Sequence, residues 1–216
     1  MSGPPPPLAY APPPGLAPLA LSRRWAAFDK PAGLLTVPGR LETHADCLEA
    51  RARTRFGWAR AAHRLDLATS GVVLMALSPP ALSALMAQFA ARTVEKRYVA
   101  VVAGVVTEES GEVDLPLRTD WPNRPRQIAA EDGKPARTLW RVLERDERAT
   151  RLALTPVTGR SHQLRVHLAA IGHPILGDPL YGDPAAAPRL MLHAESLRFR
   201  DPDSEETRSI VAAAPF

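Results

Sequence analysis

Gly71–Leu77 reads GVVLMAL, seven residues without one polar side chain. Successive side chains of a strand point to opposite faces, so a strand apolar at every position has to be covered on both. The run is far too short for a membrane span, which needs roughly 18 or more apolar residues. The other long apolar stretch, Tyr98–Val106, is again strand-sized. An interior strand in a layered fold is the starting constraint. With 216 residues, 45% of them hydrophobic, the chain can bury such a core.

The elements around that strand follow from spacing. Ser78 stands where a helix N-cap would, and Pro79 and Pro80 suit a first turn whose N–H groups have no helical partners. Leu82, Leu85, Met86 and Phe89 then recur at i, i+3, i+4 and i+7, one helical face. A second helix is predicted from about Ser161 to Ile171, with Gly172 as its stop and Pro174 beyond. Asp29–Arg40 reads as a short strand and turns, punctuated by Pro31, Gly33, Pro38 and Gly39. KRYVAVVAG ends at Gly104, and further strands are predicted at Arg137–Leu143, Arg151–Val157, Leu190–Phe199 and Thr207–Ala213. Strands that follow one another without helices imply an α+β fold, with a mixed, mostly antiparallel central sheet flanked by helices and loops. Residues 1–24 hold eight of the 23 prolines without any period, so they read as a proline-rich disordered tail. Residues 25–216 read as a single domain.

Several chemistries drop out. One cysteine leaves no disulfide framework and no multi-thiolate zinc site. No two glycines lie two apart, which removes the dinucleotide fingerprint, and GxxxxGK, HExxH and GxSxG are absent. His162 and His167 are five apart, the wrong interval for one helical face, so no metal is expected. The start MSGPPPPLAY has no basic region before an apolar stretch, so a cytoplasmic protein is the default. Oligomeric state is not legible, and a monomer is the default.

The net charge is +4, and 24 of the 27 basic residues are arginine. A GC-rich genome would produce that bias; so would phosphate recognition, because the guanidinium fork fits phosphate oxygens. Placement separates the two. Arg51, Arg53, Arg55, Arg60 and Arg64 lie between Ala50 and Leu65 with no acid among them. Arg118–Arg141 holds six basic residues against three acidic, with Trp121 and Trp140 and an extended-loop composition. Arginines interleaved with an exposed aromatic suit looped or single-stranded RNA, although either patch alone would also serve as a solvated face. Asp66, in HRLDLATSG, stands at the mouth of the apolar strand, followed by Ala68, Thr69, Ser70 and Gly71. It is either a turn aspartate or a reactive carboxylate. In Thr158–Gly182, Gly159 and Arg160 precede the second helix, where free N–H groups would meet a phosphate. Leu164, Leu168 and Ile171 form its inward stripe, and Arg165 lies at the stripe's boundary, either a surface arginine or one within reach of a buried carboxylate.

HRLDLATSG, KRYVA and GRSHQLRVHLAAIGHPILGDPLYG together resemble the RluA family of pseudouridine synthases, and the likeness runs from DKPAGLLTVPGR to about LHAESL. VPGRLETH and DWPNRPRQ…GKPART are similar to its short members, which act on 23S ribosomal RNA and on transfer RNA anticodon stem-loops. No room is left for the S4-type RNA-binding domain of longer relatives, which would leave RNA selection to the catalytic domain.

The resemblance implies an isomerase that turns uridine into its C-glycoside isomer without cofactor or metal. Asp66 is then the catalytic carboxylate, Tyr98 of the K-x-Y motif stacks on the uracil, and Arg165 pairs with Asp66. Arg64 enters the RNA stack where the target base was, and Leu192 lines the base pocket. Arg118, Trp121, Arg124, Arg126, Lys134 and Arg160 are the expected RNA contacts. Two other readings stay open from the residues alone. One is an RNA-binding module without catalysis. The other is a glycoside hydrolase in which Asp178 or Glu195 joins Asp66 as a second carboxylate.

Overall fold

The computed structural model describes residues 10–216. Its elements in chain order begin with β1 (Pro18–Leu21), β2 (Trp25–Lys30), α1 (Leu48–Phe56), β3 (Arg60–Ala61), β4 (Ser70–Ala76), α2 (Pro79–Ala91) and β5 (Glu95–Ala103). They continue with β6 (Ser110–Asp114), β7 (Leu117–Thr119), β8 (Gln127–Ala129), β9 (Arg137–Arg145), β10 (Ala149–Pro156), α3 (Gln163–Ala170), β11 (Leu192–Arg200) and β12 (Thr207–Val211). Ten strands form one sheet in the order β1-β2-β4-β11-β5-β10-β9-β6, with β12 beside β11 and β3 beside β4. Every pairing is antiparallel except β4 with β11. The α+β architecture with a mixed, mostly antiparallel sheet is the one expected.

The apolar strand β4 is interior, as its composition demands. Val72, Leu74 and Ala76 face a core completed by Trp25, Leu85 and Phe199. Val73 and Met75 face the opposite core with Phe28, Leu34 and Leu48. Helix α2 covers the first and α1 the second. A third core forms where Leu164 and Leu168 of α3 meet Leu152, Leu154 and Leu192. At the parallel junction Gly71 has φ +115°, and a Cβ there would lie 2.2 Å from the carbonyl oxygen of Ala194. Only glycine permits that approach.

Several expectations need correction. Strand β1 lies inside the segment read as a disordered tail, and residues 1–9 of that segment lie outside the described ones. Pro18 opens β1 at the sheet edge, where its missing N–H is tolerated, and Tyr10 donates to the Asp46 carbonyl at 2.6 Å. The strand expected in Asp29–Arg40 is only the end of β2, which starts at Trp25 and includes Asp29 and Lys30, and the residues from Pro31 on form turns. Helix α1 went unread because only Leu48, Ala52 and Phe56 mark its inner face among arginines. Ser78 occupies the N-cap of α2 without a capping bond, and its hydroxyl is buried and unpartnered. Ala81 and Leu85 form the buried line of α2, while Met86 is 52% exposed. Ile171, beyond the end of α3, is exposed too. Arg118–Arg141 is no open loop throughout, since β7 and β8 pair as a hairpin within it.

Candidate active site

Asp66 lies on the loop from β3 to β4, and the residues around it are fastened one by one. Ala62 N–H donates to the Leu74 carbonyl, continuing the ladder at 3.0 Å. The next residue, His63, accepts the Leu74 N–H on Nε2 at 3.0 Å, so an imidazole takes the place of a backbone carbonyl as the chain leaves the sheet. Burial, with Lys96 adding to it, lowers the His63 pKa to about 3, so the ring is a neutral acceptor. Leu65 N–H donates to the Thr36 hydroxyl at 3.1 Å, and that hydroxyl donates back to the Leu65 carbonyl at 3.0 Å. The Leu67 carbonyl accepts from Gly33 N–H at 2.9 Å and from Lys30 Nζ at 3.2 Å. Thr69 N–H closes a turn on the Asp66 carbonyl at 3.1 Å. With its flanking backbone bound on both sides, Asp66 presents a side chain that is 30% exposed.

Lys30 is wholly buried, and its ammonium also donates to the carbonyls of Pro31 at 3.0 Å and Leu34 at 2.7 Å. Burial lowers its pKa to about 7, against the raising effect of Asp66. Lys30, Thr36 and His63 were not singled out from the sequence, yet they shape the loop that presents Asp66.

Arg165 is 3% exposed on α3. Its Nε and Nη2 grip both oxygens of the fully buried Asp178 at 2.8 and 2.7 Å, while Nη1 reaches Asp66 Oδ2 at 3.4 Å. The guanidinium therefore pairs with Asp66 as expected, but its principal partner is Asp178. Burial works against both charges of that principal pair. Mutual hydrogen bonding outweighs it, holding Asp178 below the ordinary carboxylate range and raising Arg165. Leu180 and Tyr181 N–H groups also donate to Asp178 at 2.9 and 3.2 Å.

Tyr98 on β5 is partly buried and packs against both the cluster that contains Leu65 and the one that Ala68 joins. Burial raises its phenol pKa and the neighbouring Asp66 charge adds to the shift, keeping the phenol protonated. Leu192, 3% exposed, belongs to the same core that Tyr98 and Ala68 join. Arg64 is exposed two residues before Asp66.

The β7–β8 hairpin gathers most of the other expected contacts. At its tip Trp121 is 65% exposed, with the Arg124 guanidinium 4.6 Å from its ring centroid. Arg126 lies 5.2 Å from the Tyr181 ring centroid, and Arg118 pairs with Asp132 at the surface. Lys134 is held beside Leu117 by backbone bonds. Arg160 Nε donates to the Pro135 carbonyl at 3.1 Å, which joins the start of α3 to the hairpin's return. The Arg160 N–H is not the free donor that was expected: the Gln163 side chain accepts it at 3.0 Å.

One further side chain faces Asp66, and a second stands behind it; the sequence assigned neither to this site. His162 Nε2 is 3.9 Å from Asp66 Oδ2, and its Nδ1 is 2.7 Å from the Tyr181 hydroxyl. Neither carboxylate that a hydrolase would need as a second acid is free, because Asp178 is bound by Arg165 and Glu195 pairs with Arg97 at 2.8 Å. Among the described residues, no group of three or more His, Cys, Asp or Glu is placed to hold a metal ion. No helix among them is long and apolar enough to cross a membrane.

The chain as a whole is similar to known proteins. A family model described as RNA pseudouridylate synthase matches residues 24–170. The chain is 48% identical over 216 residues to the dual-specificity RNA pseudouridine synthase RluA of Pasteurella multocida, covering 97% of this chain and 99% of that protein. Against the protein of the same name from Escherichia coli K12 it is 48% identical over 193 residues, covering 87% and 88%. Among solved structures, human RNA pseudouridylate synthase domain containing 1 matches with a TM-score of 0.80 at 30% identity, over 94% of this chain and 84% of that one. Human RNA pseudouridylate synthase domain containing 4 matches with 0.74 at 26%, over 92% and 88%.

Proposed function

The chain belongs to the RNA pseudouridine synthase family, and from that premise we propose that Asp66 is the carboxylate with which it isomerises uridine in RNA. The observation that carries this reading is the setting of Asp66: a partly exposed side chain on a loop pinned at either side, 3.4 Å from a buried guanidinium, with the partly buried Tyr98 close enough for its phenol to feel the carboxylate charge. In the reaction the bond from N1 to C1′ breaks, the uracil turns, and C5 bonds to C1′. C5 gives up its proton and N1 ends protonated, so no atom is gained or lost. Arg165, itself steadied by Asp178, keeps positive charge against the carboxylate throughout. Tyr98 presents a flat ring and a phenol that burial keeps protonated, suited to stacking on the uracil and assisting at C5.

The target nucleotide leaves its stack to reach Asp66, at a cost of a few kcal/mol. Arg64, exposed on the same loop, fills the gap left behind. Leu192, in the cluster beneath Tyr98, supplies the apolar floor of the base site. Trp121, Arg118, Arg124, Arg126, Lys134 and Arg160 dock the surrounding RNA. The substrates we assign are stem-loops of 23S ribosomal RNA and of the transfer RNA anticodon arm, met by a cytoplasmic monomer whose single domain, residues 25–216 extended by β1, selects the RNA. The relatives named dual-specificity support two RNA classes.

Replacing Asp66 with Asn tests the assignment. The variant is expected to fold and bind RNA while forming no pseudouridine, read by chemical mapping because the product has the substrate's mass. Turnover at the wild-type rate would overturn the assignment. An RNA-binding module without catalysis would yield no product with the wild type either.

A further inference from the structure

We propose that His162 is a second N–H donor to the Asp66 carboxylate, that Tyr181 sets its tautomer, and that this chain of hydrogen bonds ties the β7–β8 hairpin to the reaction centre. The proposal rests on the reading of Asp66 given above, and it makes His162 and Tyr181 positioning residues.

The direction of each bond follows from counting protons. Gln127 opens β8, and its backbone N–H lies 2.7 Å from the Tyr181 hydroxyl oxygen. An amide N–H only donates, so the phenol oxygen accepts. The phenol has one proton of its own, and the one acceptor within reach among the described residues is His162 Nδ1 at 2.7 Å. If Nδ1 accepts, a neutral ring carries its proton on Nε2. That nitrogen faces Asp66 Oδ2 at 3.9 Å. The opposite tautomer would strand the phenol proton and turn a lone pair toward a carboxylate.

The protonation states agree with this order. Burial raises the Tyr181 phenol, so it keeps its proton. Burial lowers His162, opposed by the charge of Asp66 and reinforced by that of Arg165, so the ring is biased toward its neutral form. At 3.9 Å the last link is longer than a hydrogen bond. Arg165 Nη1 donates to the same oxygen at a long 3.4 Å, so two donors converge on Oδ2, neither at close range. Such contacts commonly tighten when substrate arrives.

The backbone gives a second, independent sign. His162 has φ 54° and ψ 16°, a left-handed conformation shared among the described non-glycine residues only by Arg92 and Glu205. Side chains with a β-carbon rarely adopt it, and they do so where the surroundings impose it. Here it turns the ring from the start of α3 toward both Tyr181 and Asp66. Tyr181 is also the point at which the hairpin meets the centre. Its ring lies 5.2 Å from the Arg126 guanidinium and 5.1 Å from that of Arg165. RNA that grips Trp121, Arg124 and Arg126 therefore pulls on the strand whose first amide is bound to Tyr181. The proposed consequence is that docking at the hairpin closes the His162 contact on Asp66.

The experiment has two arms on the full chain. In the first, nitrogen-15 NMR of the RNA-free protein reads the His162 tautomer. The Nε2–H form is expected in the wild type, with a mixture of tautomers in Tyr181→Phe; a wild-type Nδ1–H form would overturn the proposal. In the second, single-turnover rates and RNA affinity are measured for Tyr181→Phe, His162→Ala and His162→Gln. Loss of one hydrogen bond predicts a rate lower by about threefold to tenfold in Tyr181→Phe, with affinity almost unchanged. His162→Ala should lose more, and His162→Gln, whose amide still donates, should regain part of it. Wild-type rates in Tyr181→Phe would overturn the coupling. If Tyr181→Phe fails to fold, the wild-type tautomer decides. Asp66→Asn separates the two readings: activity there removes the Asp66 assignment, while inactivity there with wild-type rates in Tyr181→Phe removes this proposal alone.

Discussion

Replacing Asp178 with Ala should be among the most damaging changes available outside the reacting groups themselves. Asp178 is 0% exposed and accepts four hydrogen bonds, two from Arg165 and one each from the Leu180 and Tyr181 amides. Its removal leaves a guanidinium that is 3% exposed with the longer hydrogen bond to Asp66 as its one remaining anionic partner among the described residues. Breaking a buried pair from one side costs about 3–5 kcal/mol, because the surviving charge stays buried without its partner. A domain of this size has about 5–15 kcal/mol in all, so the variant should fold but melt early. Urea denaturation followed by the fluorescence of buried Trp25 measures the loss at neutral pH. Asp178→Asn keeps an acceptor for the two amides and should lose less. The sign of the pH dependence is fixed by the lowered Asp178 value. As pH falls, the unfolded chain takes up the proton first, near the ordinary aspartate value of about 3.9. The contribution is therefore complete above that pH and is lost as pH drops through the folded value. The Asn variant should lack this acid limb. A destabilisation by Asp178→Ala of less than about 1 kcal/mol, the level of an exposed pair, would refute the reasoning.

Lys30 gives a slope of the same sign in a different, alkaline window. Its folded pKa is lowered to about 7 by burial, while an unfolded lysine holds its proton to about 10.4. Between those values the unfolded chain binds the extra proton, so wild-type stability should gain a component that rises with pH; Lys30→Met should abolish that component, and an unchanged slope in alkaline melts would contradict it. At the hairpin, RNA affinity should fall steeply with salt. Contacts from Arg118, Arg124, Arg126, Lys134 and Arg160 to single-stranded phosphates together correspond to a log–log slope of about −3.5, and Arg124→Ala should reduce that slope without altering melting, whereas a flat response in binding titrations would remove the hairpin as the docking surface.

What the sequence made legible was contiguous. GVVLMAL announced a strand covered on both faces, and HRLD set a carboxylate at its mouth. What it hid was held together over distance. Thr36 binds Leu65 from 29 positions away, and Lys30 reaches Leu67 across 37. Neither residue lies on an amphipathic stripe, so nothing in the local pattern marks it. Asp178 was visible only as a spare carboxylate, open to a role as a second acid. Its true part depends on Arg165, 13 residues earlier, turning back toward it from α3. His162 was set aside because a five-residue interval to His167 spoils a helical face, but His162 precedes the helix in a left-handed turn, so that interval never applied. The proposed reacting group was legible because the motif that carries it is contiguous in the sequence. The groups that aim it were hidden because a charge or an acceptor can be assigned a partner only once the fold has brought the partner near. A substitution at Thr36, Asp178 or His162 should therefore act through Asp66 although nothing adjacent in the sequence connects them, and that is why the positioning residues, more than Asp66 itself, are where measurement adds most.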